Sequence, residues 1–281
     1  MTPWRLAIRH QTEYHYAAEV TASYNEARIT PLDTPDQLVL DHHVEVQPGA
    51  HLMQYRDYWG TWVHTFDLHR AHRTLRVIGH STVETGLRRS PEPPAITWAD
   101  LDDPATIDRW CELLEITPYT DAGAEARDLV REWRALPAPN DAVEAAVAWV
   151  HREMEYETGS TTVQTTAAES LRQRRGVCQD FSHLTLALLR SMGIPARYTS
   201  GYFHPTDAGI GETVAGESHA WIEAWLGRWI PHDPTSDAPV AERHVVVAHG
   251  RDYADVPPLK GIYHGAATNE ITVTVDLTRV A

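Results

Sequence analysis

An α+β fold, with an antiparallel β-sandwich or barrel ahead of a helix-and-sheet core, is what this chain of 281 residues predicts. Three observations carry that expectation. Residues 3–85 alternate apolar and other side chains at the two-residue period of strands. Residues 121–192 change to the three-to-four-residue period of helices. Short strand-like runs then follow at 196–203, 218–226, 229–233, 244–249 and 271–279.

Within the first region Leu38, Leu40, His42, Val44 and Val46 alternate, as do Leu75, Val77, Gly79, Ser81 and Val83. Pro31-Leu32-Asp33, Pro48-Gly49 and Trp59-Gly60 supply the turns. This defines a β-rich domain over residues 1–87. The stretch around Ser90-Pro91-Glu92-Pro93-Pro94 reads as a stiff linker, 88–99, ahead of a core over 100–281. Asp121 is placed to cap a helix that runs to about Leu136, where Pro137 and Pro139 stop it. Asn140 can cap the next helix, whose stripe is Val143, Val147, Val150 and Met154. Thr166-Ala167-Ala168-Glu169 has capping-box spacing for a short helix ending near Gly176. Another helix opens at Cys178 and ends at Met192-Gly193, with Pro195 just beyond. Its stripe, Cys178, Phe181, Leu184, Leu188 and Met192, turns inward.

A hydrophobic content of 42%, with ten Trp and eleven Tyr, is ample for a core. No run of 18 apolar residues suggests a membrane span, and MTPWRLAIRHQTEYHY lacks an apolar signal stretch, so a cytoplasmic protein is expected. Two cysteines argue against a disulfide framework. Cys111, in Asp108-Arg109-Trp110-Cys111-Glu112-Leu113-Leu114, reads as a small buried hydrophobe. The net charge of -15 argues against nucleic acid and anionic membranes as partners. Oligomeric state is left open.

The chemistry-bearing pattern is a cysteine at a helix start followed by a histidine and an aspartate on strand-like segments. Cys178 lies in Arg174-Arg175-Gly176-Val177-Cys178-Gln179-Asp180-Phe181; downstream come Ser218-His219-Ala220-Trp221 and His232-Asp233-Pro234-Thr235. The thiolate is the nucleophile, and a free thiol titrates only near ~8.5. A helix N-terminus and a histidine both favour the thiolate, and a carboxylate orients the histidine. His219 and Asp233 are an even number of residues apart, so a hairpin turning near Leu226-Gly227 puts both on one face. A three-residue turn centred on Leu226 would set them directly opposite; a two-residue Gly227-Arg228 turn would separate their faces unless a bulge intervened. Trp221, Glu223 and Trp225 share the His219 face and predict an aromatic wall, with Trp221 a substrate contact. His183 stands five residues after Cys178 on one helix, poor geometry for a base, and His232 should face away from Asp233. Arg172, Arg174 and Arg175 read either as a source of positive potential or as solvated surface arginines.

The segments GVCQDFSHL, GIPARYTSGY, ESHAWIEAWL and HDPTS resemble the transglutaminase-like core, a branch of the papain-like thiol enzymes. Gly250 to Pro258, Asp57-Tyr58-Trp59-Gly60-Thr61 and Leu75-Arg76-Val77-Ile78 resemble other regions of the bacterial members. The resemblance implies a papain-like core with a central helix against an antiparallel sheet. It implies Cys178 as nucleophile, His219 as base and acid, and Asp233 as orienter. The expected activity is amide chemistry through a Cys178 thioester on a protein or peptide substrate, by hydrolysis or by acyl transfer to an amine. The Cys178 backbone N–H is expected to be one oxyanion donor, with Gln164 a weak candidate for the second. The alternative is a non-catalytic protein-binding module on the same scaffold, against which the intact Cys, His and Asp set speaks. Animal relatives use calcium, but no spaced oxygen-ligand loop occurs here, so no cofactor and no metal are expected. Asp41-His42-His43 and His64, His69 and His72 lack a zinc-like ligand set and read as structural or surface residues.

Overall fold

The computed structural model describes residues 3–86, 96–205, 209–236, 239–265 and 269–281. The N-terminal strands are β1 (Trp4–Val20), β2 (Ala22–Ala27), β3 (Gln37–Gln47), β4 (Met53–Arg56), β5 (Trp62–Leu68) and β6 (His72–Thr85). Three short helices follow: α1 (Trp98–Leu101), α2 (Pro104–Arg109) and α3 (Cys111–Leu114). Then come α4 (Arg127–Arg134), α5 (Pro139–Glu153), β7 (Glu155–Tyr156), α6 (Ala167–Gln173), β8 (Arg175–Gly176) and α7 (Cys178–Ser191). The chain closes with β9 (Ala196–Phe203), β10 (Thr213–Trp225), β11 (Trp229–His232), β12 (His244–Gly250), β13 (Leu259–His264) and β14 (Asn269–Arg279).

The division into two sequential domains does not divide the sheet. An eight-stranded antiparallel sheet runs β12-β9-β10-β14-β1-β6-β3, with β11 paired to β10. β14 lies along β1 from Tyr16↔Asn269 to Leu6↔Arg279 and also pairs with β10, so it fuses the two halves. A four-stranded sheet, β13-β2-β5-β4, likewise takes a late strand against early ones. Most of the expected linker, 88–99, lies outside the described residues, and α1 begins at its end. The two edge strands of the large sheet meet through one side chain. Gln37 Nε2 donates to Val246 O at 2.9 Å, and Val246 N–H donates to Gln37 Oε1 at 2.9 Å. The amide thereby gives the Val246 N–H its acceptor, and the Val246 carbonyl also takes the Leu32 N–H at 3.0 Å.

Two apolar cores result. Tyr16, Val20, Val44, Val46, Phe66, Leu68, Leu75 and Val77 fill the space between the two sheets. The larger core joins the helices to β1, β9, β10, β12 and β14. At its centre α7 is buried on every side from Gln179 to Arg190, not along a single stripe. It packs against α5 and α6 on one hand and β9 and β10 on the other. Truncating a fully buried leucine there, such as Leu184 or Leu188, costs about 2–5 kcal/mol. The helix ends as expected, Gly193 taking a left-handed φ of 79°.

Several local expectations shift. β3 carries a bulge between Val39 and Asp41, which reverses its faces. Leu38 and Leu40 are therefore exposed while Val44 and Val46 are buried. Asp121 instead accepts the N–H of Gly123, and α4 starts only at Arg127. Pro139 does not stop a helix but opens α5 at its first position, where a missing N–H costs nothing. Thr166 makes the capping box on α6 that its spacing predicts. No helix among the described residues is long and apolar enough to cross a membrane.

Candidate active site

Cys178 occupies the first position of α7, half-buried, with Val177 as the residue before the helix. Asp180, two residues on, fixes that entry. Its Oδ2 accepts the Val177 N–H at 2.8 Å and the Thr161 hydroxyl at 2.6 Å. Gly176 is required for the closure, since a Cβ there would lie 2.6 Å from Asp180 Cβ. Gln179 Nε2 donates to Val163 O at 3.2 Å, so the 157–166 loop is tied to the same helix start. The sulfur thus sits at the positive end of a buried helix.

His219 comes from β10, whose partner β9 aligns it with Gly201. Asp233 follows the last residue of β11. The hairpin between them pairs Trp225 with Trp229 and Ile222 with His232, so the turn is three residues long and centred on Gly227 (φ 78°). It matches neither turn expected from the sequence. Continuing that register sets Asp233 opposite Trp221, diagonal to His219 and on its face. The diagonal suffices. His219 Nε2–H donates to Asp233 Oδ2 at 2.8 Å, with both side chains buried. Oδ1 of Asp233 accepts the Thr235 N–H at 3.0 Å and the Thr235 hydroxyl at 2.6 Å.

Burial alone would push the imidazole towards neutrality. Hydrogen bonds to Asp233 and to the Cys178 thiol, with the charge each group can carry, overcome it and raise the His219 pKa to about 10. Burial likewise opposes the Asp233 carboxylate, yet donation from His219, His244 and Thr235 holds its pKa well below the ordinary carboxylate range. Because Nε2 is spent on Asp233, Nδ1 is the ring nitrogen left for the Cys178 thiol. The sulfur, the imidazole and the carboxylate form one hydrogen-bonded series.

A further residue joins it that spacing did not reveal. His244, at the start of β12, approaches the same Asp233 Oδ2 through Nε2 at 3.3 Å and is almost wholly buried. His219, Asp233 and His244 each offer a ligand atom within 4.8 Å of one another, a grouping that could hold a metal ion. A cation there would have to displace the protons that His219 and His244 donate to Asp233.

Residues 127–234 match the transglutaminase-like superfamily, and residues 6–84 match the bacterial transglutaminase-like N-terminal region. An uncharacterized protein of Mycobacterium leprae, ML0607, is 46% identical over 279 residues, 99% of this chain and all of that one. An uncharacterized protein of Mycobacterium bovis, Mb2599c, is 35% identical over 97% of this chain and 92% of its own length. The chain belongs to the bacterial transglutaminase-like proteins. A crystal structure of a candidate cysteine protease from Cytophaga hutchinsonii has the same fold, with a TM-score of 0.75 over 99% of this chain and 98% of that one, at 23% identity. The expected papain-like core, a central helix against an antiparallel sheet, is therefore its fold.

On this transglutaminase-like core the remaining expectations divide. Trp221 is fully buried and cannot line a substrate cleft. It stacks behind His219, ring centroids 6.1 Å apart, and meets His244 edge-on. Burial follows because Gly201 of β9, having no side chain, leaves room for the indole. Phe203 is the aromatic against both imidazoles, at 5.2 Å from His219 and 4.8 Å from His244. Glu223 is buried and pairs with Arg197, while half-buried Trp225 packs on half-buried Trp110 and Trp229. Gln164 is exposed in the 157–166 loop, and no hydrogen bond of its side-chain amide occurs among the described residues. Cys111 is exposed, not buried, because α3 is a single turn at the surface. His64 is buried against the Thr30 hydroxyl, His72 against Arg70 O, and His69 lies outside beside Tyr24. His232 turns towards Glu144, away from the site. Arg174 and Arg175 pair with Glu153 and Glu157 at the surface.

Proposed function

We propose that this chain is a thiol enzyme that cleaves amide bonds of a protein or peptide through a thioester on Cys178. The supporting observation is the 2.8 Å bond from His219 Nε2 to a buried Asp233, which leaves the opposite ring nitrogen for the sulfur. His219 Nδ1 holds the proton drawn from the thiol while the sulfur attacks the carbonyl carbon. Negative charge gathers on the carbonyl oxygen, where the Cys178 N–H, which no helical acceptor can use, is available to it. Collapse breaks the C–N bond, and the imidazolium returns its proton to the leaving amine. Water or an acceptor amine then gives a proton to His219 and attacks the thioester, and the C–S bond breaks to restore the thiolate. Hydrolysis is the favoured resolution, acyl transfer to an amine the variant of the same step. A cytoplasmic setting belongs to the same reading.

The test is a peptide-library assay run with and without a primary amine, beside labelling by an amide-mimicking electrophile and mapping of the adduct. An adduct on Cys178 and turnover lost in Cys178→Ser are expected. Turnover that survives Cys178→Ser would end the reading.

A further inference from the structure

Asp233 is shared. Its Oδ1 is closed by two bonds from Thr235, while Oδ2 accepts from His219 at 2.8 Å and from His244 at 3.3 Å. The tautomer of His244 follows from its other side. The Ala241 N–H donates to His244 Nδ1 at 3.4 Å, so Nδ1 carries no proton and Nε2–H is the donor to Asp233. The tight turn that returns His244 N–H to Ala241 O at 3.0 Å fixes the ring from the backbone. Phe203 packs against both imidazoles. Trp221 backs both of them. His219, Asp233, His244 and Trp221 are all buried, which strengthens the bonds to the carboxylate.

We propose that His244 is a positioning residue for the site, a neutral N–H donor that fixes Oδ2 of Asp233 where it can orient His219. The need is geometric. Thr235 pins only Oδ1, and a carboxylate held at one oxygen can still rotate the other away from the histidine. A donor on Oδ2 from a third strand removes that freedom. It also satisfies a buried lone pair that would otherwise go unmet. Burial holds the His244 pKa low, although Asp233 opposes this, so the ring remains a neutral donor beside Arg243 and the His219 imidazolium. His244 does not reach the reacting atoms and acts through Asp233.

This rests on the reading of Cys178 and His219 as a working pair, and one experiment separates the two. In a Cys111→Ser background, which leaves one thiol, the iodoacetamide rate of Cys178 is measured from pH 5 to pH 9. His244→Ala is expected to slow alkylation at pH 6 about tenfold and to move the rise in rate to higher pH. His244→Gln, whose amide can still donate, should recover most of the loss. In an Asp233→Asn background His244→Ala should add nothing, since the carboxylate it positions is gone. A folded His244→Ala protein reacting as fast as its parent would overturn the proposal. So would a tenfold loss that persists without the Asp233 carboxylate. A His219→Ala variant that still reacts like its parent would strike instead at the Cys178–His219 reading beneath.

Discussion

His183 and His219 are both interior imidazoles of the same core, and their surroundings drive them in opposite directions. His183 lies on α7 five residues after Cys178, fully buried between the rings of Tyr119 and Tyr198 at 5.0 and 5.2 Å. Its Nε2 accepts the Tyr253 N–H, and its Nδ1 has no hydrogen-bond partner among the described residues. Burial, with a smaller push from Arg190, lowers its pKa to about 3. His219 is nearly as buried, yet its pKa is raised to about 10 by Asp233 and Cys178. Burial thus makes a histidine neutral and inert, and a carboxylate partner reverses the outcome. Of two histidines near one thiol, only the second can hold a proton for it.

The sharpest break of that comparison is in reactivity. Cys178→Ser should abolish labelling and turnover. His219→Ala should slow Cys178 alkylation at pH 6, and any turnover, by roughly a thousandfold or more, while His183→Gln leaves both unchanged. The Gln carbonyl still accepts the Tyr253 N–H, so the fold survives that change. Second-order alkylation rates and peptide turnover are the measurements. A large loss in His183→Gln with a silent His219→Ala would reverse the assignment. Cys111 is exposed, so its slower alkylation at pH 6 would report thiol chemistry and not access.

The next test attacks the register that brings Asp233 to His219. The two side chains share a face because β10 and β11 pair in one register through a three-residue turn at Gly227. One extra residue after Gly227 reverses the parity of everything that follows. Asp233 then turns away, or the strand absorbs the insertion as a bulge. Two extra residues keep the face. The single insertion should cost about a hundredfold in Cys178 reactivity and the double one only a few-fold, at similar melting temperatures. Equal reactivity in the two would show that strand register does not position the pair.

What was legible in the chain was local. The start of α7, its end at Gly193, the Thr166 cap and the shared face of His219 and Asp233 all depend on residues close in sequence, where fixed periods apply. What was not legible depends on pairing between distant strands. His244 reaches Asp233 because β12 lies beside β9, aligning His244 with Phe203, and no spacing encodes that alignment. Trp221 looked like a cleft residue because its face was known but not what covers that face. The bulge at Leu40 and the return of β14 to β1 belong to the same class. Cys111 failed differently: a one-turn helix has no stripe to bury.

The smallest effect sharpens the comparison through stability against pH. The folded pKa of His219 is raised above the ordinary value of 6.5, so its contribution is fully present below pH 6.5 and is lost as pH climbs towards 10. The folded pKa of His183 is depressed to about 3, so the unfolded chain takes up a proton that the fold refuses, and stability falls as pH drops below 6.5. Between pH 7 and pH 5 that penalty for His183 is about 2 kcal/mol, at about 1.4 kcal/mol per pH unit once the unfolded imidazole is charged. His10, His64, His232 and His249, all lowered to about 4, add losses of the same sign. Urea unfolding of the parent, His183→Gln and His219→Gln at pH 5, 7 and 9.5 separates the two. His183→Gln should lose less stability than the parent on going from pH 7 to pH 5. From pH 7 to pH 9.5 it should follow the parent, and His219→Gln should then be the flatter curve. Parallel curves for all three proteins would mean that neither imidazole is held away from its ordinary titration, and the contrast between them would fail.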